Sequence, residues 1–198
     1  MGQILYKNIY SVKEGYLSLN KGLRTVGYLS RAKRNKLMSS HFIERIMLAV
    51  TEVNGCEVCS YAHTKIALEQ GMSNEEIQML LSGTAENIPR DEMPAILFAQ
   101  HYADTRGNPT EEAWQRIVKV YGQEKAWGIL AAIRMIMIGN VFGIPLSGLR
   151  TRLKGKPSGK TNVFYELSMI LSFPILFPTA LLHGLILTAL KKPVIEFS

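Results

Sequence analysis

The chain has 198 residues, a length that suits one domain or one domain with an appendage. Apolar residues make up 47% of it and recur every three or four positions, which predicts helices and disfavours a sheet protein. The formal net charge is +7, but no aromatic residues interleave with the basic ones, so we expect no nucleic-acid partner.

The first predicted helices lead towards a pair of cysteines. A weakly bounded helical stretch over 7–36 precedes a clearer helix from His41 to Val53, which a preceding serine can cap. Asn54 and Gly55 tolerate the left-handed backbone conformation and end this helix. The next helix is expected to begin at or near Cys56 and to run to about residue 70.

Four further helices are predicted before residue 150. A capping-box pattern opens the first, and glycine or polar residues separate the others. Their expected ranges are Ser73 to Leu81, Pro89 to Asp104, Thr110 to Tyr121, and Gln123 to Ile138. We therefore predict an all-α domain over residues 1–150.

The character of the chain changes after this domain. Residues 151–162 are basic and rich in Gly, Pro and Ser, which indicates a linker, and 163–198 form an apolar C-terminal arm. Within the arm, the 24 residues 167–190 contain no Asp, Glu, Lys or Arg. This length can span a bilayer, although two prolines interrupt it. The alternatives are an arm that covers a groove on a neighbouring subunit and a contact with the membrane surface.

The two cysteines of the chain form one Cys-x-x-Cys pair, Cys56 and Cys59. A close pair in an otherwise cysteine-free chain is typical of redox chemistry or metal binding. At a helix start the two thiols lie close enough to form a disulfide, and the helix dipole can stabilise a thiolate. The N-terminus lacks the apolar segment of a secretory signal, so we expect a cytoplasmic protein with a reduced dithiol.

Three ionisable residues near the cysteines are candidates for proton transfer. His63 follows Cys59 by four positions, on the same helix face, and can accept its proton. Glu44 and Glu52 lie on the preceding helix, and either can reach His63 or Cys59 if the two helices pack antiparallel. Spacing alone leaves this choice open. It also leaves open a zinc site with Glu44 as fourth ligand, and a non-catalytic interaction protein.

The segment from Glu44 to Thr64, ERIMLAVTEVNGCEVCSYAHT, resembles the signature of the alkyl hydroperoxidase D-like group of the carboxymuconolactone decarboxylase superfamily. The resemblance extends over about 40–150. It implies an all-α alkyl hydroperoxidase D-like fold, to which the apolar C-terminal extension is added, and homo-oligomers, either trimers or hexamers, with dimers as the alternative. Some members carry a second histidine between the cysteines, where this chain has Val58.

The resemblance also implies a function, a thiol-dependent peroxidase or disulfide reductase. The relay glutamate of the group lies twelve residues before the first cysteine, which favours Glu44 over Glu52. The expected partners are a hydroperoxide substrate and a thiol or dithiol reductant protein, with no cofactor and no metal. The dithiol argues against lactone decarboxylation, since the decarboxylase branch lacks it.

Overall fold

The computed structural model describes residues 9–83 and 88–197. The first eight residues, which include the start of the predicted 7–36 stretch and the segment searched for a signal, lie outside this range. The described residues form helices and no strand, which confirms the all-α class. The eight helices are α1 (Val12–Leu23), α2 (Val26–Arg34), α3 (Ser40–Asn54), α4 (Glu57–Glu69), α5 (Asn74–Leu81), α6 (Met93–Asp104), α7 (Glu111–Leu153) and α8 (Val163–Ala189).

The helices around the cysteines begin and end where local chemistry requires. The Ser39 side chain accepts a hydrogen bond from the N–H of Phe42 and caps α3. Gly55 ends this helix in the left-handed conformation, with φ of 70°. Cys56 is then the N-cap of α4, so the dithiol is placed at a helix start as expected.

The helices α5 and α6 differ from the predictions in one side-chain contact and in one boundary, respectively. Ser73 caps α5, but the side chain of Glu76 binds Arg45 of α3 at 2.6 Å. A tertiary ion pair therefore uses the carboxylate that the capping-box pattern assigned to the helix end. The helix predicted from Pro89 begins at Met93, because residues 89–92 form a turn that precedes it.

The long helix α7 joins two predicted helices. Gly122 separates them as expected, with φ of 74° and ψ of 161°, but the chain resumes the helix at once. The second part was predicted to stop at Ile138 and instead continues through Pro145 to Leu153. Residues 151–153, assigned to the linker, are therefore helical. The extension keeps an apolar face buried, with Val141 and Ile144 fully inaccessible to solvent.

The core forms where α3 and the second half of α7 pack together, with α6 and α2 against them. Most of its side chains are aliphatic, and 72% of the best apolar stretch of α7 lies inside the protein. Both α7 and α8 are long and apolar enough to cross a membrane, but α7 serves as a core helix of the domain.

The C-terminal helix α8 packs against α1 and α7 of its own chain. The connection 154–162 turns back onto α7, where Glu166 accepts two hydrogen bonds from Arg152, at 2.8 and 2.9 Å. Gly148 allows this approach, since a Cβ there would lie 2.2 Å from Thr161 Oγ1. The arm contacts the domain of the same chain, an arrangement that was not among the alternatives for it.

Candidate functional site

The two cysteines are joined by a disulfide at the start of α4. Both are buried, with residue exposures of 1% for Cys56 and 6% for Cys59. The backbone N–H of Cys59 donates to Cys56 Sγ at 3.4 Å, as an N-cap hydrogen bond. In the reduced protein the same N–H and the helix dipole would favour a thiolate at Cys56.

Glu44 and His63 meet beside this disulfide helix. His63 Nδ1 lies 2.7 Å from Glu44 Oε2, and the two side chains are only 18% and 9% exposed. This bond fixes the imidazole through Nδ1 and leaves Nε2 for a second partner. Glu52 lies elsewhere, with its carboxylate next to Gly83 beyond the end of α5. The structure therefore brings Glu44, and not Glu52, to the histidine.

Helix α7 supplies a second wall that the sequence did not indicate. A Cβ on Gly143 would lie 2.7 Å from each sulfur of the disulfide, so only a glycine lets the two helices approach so closely. One turn further on, Ser147 Oγ accepts a hydrogen bond of 3.2 Å from the N–H of Val58. This bond satisfies one of the free N–H groups in the first turn of α4.

Buried polar side chains hold the end of α3 just before the cysteines. Tyr10 donates its phenolic hydrogen to Asn54 Oδ1 at 2.5 Å, and burial raises the pKa of Tyr10 far above its usual value, which keeps the donor protonated. Asn54 Nδ2 in turn contacts Met137 Sδ of α7 at 3.2 Å. Asn54, which the sequence predicted as part of a helix end, thus also connects α3 to α7.

An apolar groove opens beside the dithiol, at the C-terminal end of α7. Its volume is about 340 Å³, and two cationic side chains stand among its aliphatic walls. The lining residues are Val58, Leu146, Leu149, Leu153, Arg150 and Lys154. Val58 directly precedes Cys59 in the first turn of α4, so one wall of the groove belongs to the helical turn that carries the disulfide.

A metal site of the kind left open by the sequence finds no support in this geometry. In the chain from 9 to 83 and from 88 to 197, no three or more His, Cys, Asp or Glu side chains are placed to hold an ion. The sulfurs of Cys56 and Cys59 bind each other, and Glu44 binds His63.

Comparison with known protein families identifies part of the chain. The family model described as carboxymuconolactone decarboxylase family matches residues 24–99, from the end of α1 into α6. No curated protein and no solved structure matches the chain. The matched segment contains Glu44, both cysteines and His63 but neither Gly143 nor α8. The match therefore supports the carboxymuconolactone decarboxylase superfamily for this segment, as the motif led us to expect.

Proposed function

We propose that the protein is an alkyl hydroperoxidase D-like thiol peroxidase, which reduces hydroperoxides at Cys56 and Cys59 and is regenerated by an external dithiol. The observation that carries this proposal is the disulfide at the N-terminus of α4, on the same helix as a histidine that a buried carboxylate holds. A disulfide with a purely structural role does not require a proton-transferring pair nearby, so the Glu44–His63 pair favours a redox role.

The first step is deprotonation of Cys59. His63 lies one helical turn after Cys59, and its Nε2 takes the thiol proton while Glu44 stabilises the resulting imidazolium. The thiolate attacks the peroxide, the O–O bond breaks, and the alkoxide leaves as an alcohol after taking a proton from His63. The products are a sulfenic acid at Cys59 and one molecule of alcohol.

The second step closes the disulfide. The Cys56 thiolate, favoured by the helix N-terminus, attacks the sulfenic sulfur, and hydroxide leaves as water after protonation. An external dithiol then reduces the disulfide by two thiol exchanges and is itself oxidised. Both cysteines are nearly inaccessible to solvent. A reductant that carries its thiol on a narrow, extended group therefore reaches the disulfide more readily than one whose thiol lies on a flat protein surface.

The groove beside Val58 supports an organic hydroperoxide rather than hydrogen peroxide as the substrate. Four of its six lining residues are aliphatic, Val58 and three leucines, and burying an alkyl group of the substrate against them is favourable because it removes apolar surface from water. Arg150 and Lys154 offer positive charge to a carboxylate or phosphate on the same molecule. Hydrogen peroxide would make no use of either feature.

The test is peroxide consumption with dithiothreitol as reductant, comparing cumene hydroperoxide with hydrogen peroxide. We expect Cys56→Ser and Cys59→Ser to abolish turnover and Glu52→Gln to leave it intact. The wild type should prefer the organic peroxide. Full activity in both cysteine variants would contradict the proposal and favour a non-catalytic interaction protein.

A further inference from the structure

The outer face of α8 carries an apolar stripe. Its side chains recur every three or four positions, except for one step of seven residues past Pro178, and their exposures run from 42% to 86%. The members of this stripe are Phe164, Leu167, Leu171, Ile175, Leu182 and Leu185. Only 11% of the best apolar window of α8 is buried in the chain. Large contiguous apolar surfaces of this kind mark sites of interaction.

The inner face of α8 is fixed to the domain along the length of the helix. Met169 and Ala180 are fully buried, and the Tyr16 hydroxyl binds His183 Nδ1 near the C-terminal end. At Gly184 the backbone comes so close to α1 that a Cβ would lie 3.2 Å from Arg24 Cγ. A helix held in this way presents its other face to the surroundings.

Both ends of α8 are tied to the same domain. At the start, Glu166 is buried and bound to Arg152. After the helix, Arg24 binds the carbonyl of Lys192 at 2.7 Å and Arg134 binds that of Val194 at 2.9 Å. The two ends of a helix that crosses a bilayer lie on opposite sides of it. This arrangement instead suits a helix that lies flat.

Basic residues stand at both ends of the stripe. Lys156 precedes α8, and Lys191 and Lys192 follow it; all three are exposed and form no ion pair with any residue the structure describes. Two copies paired along this face, parallel or antiparallel, would bring basic ends together. Anionic headgroups around an apolar layer complement both the ends and the stripe.

We propose that α8 docks the protein in the plane of an anionic lipid bilayer, with the stripe at the boundary between headgroups and acyl chains. The flanking lysines then contact lipid phosphates, and the domain stays on one side of the membrane. This surface lies outside the segment that carries the dithiol, so the proposal stands independently of the peroxidase function.

The test is flotation of the full-length protein with vesicles of phosphatidylcholine, alone or mixed with phosphatidylglycerol. We expect the wild type to float with the mixed vesicles, and added salt to weaken this binding. Reversing two charges, in Lys191→Glu/Lys192→Glu, should reduce binding to mixed vesicles by about tenfold or more.

A second pair of variants tests the stripe itself. Leu171→Glu/Ile175→Glu, at residues that are 67% and 70% exposed, should abolish flotation. The control Leu68→Glu/Val120→Glu changes two apolar residues on other helices, which are 46% and 50% exposed, and should still float. Circular dichroism and thermal unfolding show whether each variant is folded, and light scattering gives its mass.

Two outcomes overturn the proposal. The first is wild type that fails to float with either vesicle and forms an oligomer that Leu171→Glu/Ile175→Glu dissociates, since a second copy would then cover the stripe. The second is binding that ignores both lipid charge and salt and resists alkaline carbonate, which would indicate a spanning helix.

Discussion

Replacing Gly143 by alanine tests whether close contact between α7 and the disulfide shapes the site. The new Cβ would lie 2.7 Å from both sulfurs and 3.1 Å from Val58 Cγ1. Ordinary contact begins near 3.4 Å, so the two helices must separate by about 0.7 Å. Neither side of this contact can move easily. The new Cβ is fixed to the backbone of α7, and the disulfide bond holds the two sulfurs in place on α4.

The control is Gly139→Ala, one turn earlier on the same helix. There the nearest atom to a new Cβ is Ile136 Cδ1 at 3.6 Å, an ordinary contact. Both substitutions gain about 1 kcal/mol of helix propensity, so this contribution cancels when the variants are compared. The remaining difference is the overpacking cost at Gly143, about 1–3 kcal/mol.

Urea unfolding of the oxidised proteins, followed by circular dichroism, measures this difference. Gly143→Ala should be the less stable variant, and its disulfide should react with dithiothreitol at an altered rate while that of Gly139→Ala matches wild type. Free energies of unfolding within about 0.5 kcal/mol of each other, with unchanged reduction rates, would show that α7 does not press on the disulfide.

Three further predictions concern other polar contacts. Glu44→Gln should lower peroxidase turnover by about 10²-fold or more through loss of the proton relay, with Glu52→Gln as the unaffected control in the same kinetic assay. Ser147→Ala should cost about 1 kcal/mol in urea unfolding, because it leaves a partly buried N–H of α4 without its acceptor. Hydrogen bonds from Arg152 hold the pKa of Glu166 below its usual 4.5. Stability from this carboxylate is therefore present at neutral pH and lost as pH falls below 4.5, so Glu166→Gln should be less stable than wild type at pH 7, by a margin that shrinks in acid.

Local sequence signals predicted the first half of the chain well. Ser39, Gly55 and Ser73 act where the capping patterns placed them, because these signals depend on neighbours within four residues. The sequence also predicted the break in the helix at Gly122. It did not predict that α7 continues directly after this break, because the direction of the chain beyond a glycine depends on tertiary packing.

Glycines in α1 show how packing can outweigh helix propensity. Gly15 and Gly22 lower the helix propensity of the predicted 7–36 stretch, yet both lie inside α1. A Cβ on Gly22 would lie 2.4 Å from Ile138 Cδ1, so the glycine permits close packing between α1 and α7. Helix propensity counts such a glycine as a cost, while tertiary packing rewards it.

Some residues of the candidate site were predictable from the sequence, and others were not. The spacing of its residues indicated the dithiol and His63, while the choice between Glu44 and Glu52 required the family resemblance. Gly143 and Ser147 lie more than eighty positions after the cysteines, and no local pattern marks them. Only the packing of α4 against α7 reveals that they touch the site.

Helix α7 acts as a partition between the dithiol and the C-terminal helix, and it is one helix thick. Phe142 faces one side, where its ring meets that of Phe173 in α8 at 4.9 Å. The next residue, Gly143, faces the sulfurs on the other side. A single turn of α7 thus contacts both the disulfide and α8, so a substitution that moves this turn would change the surroundings of both.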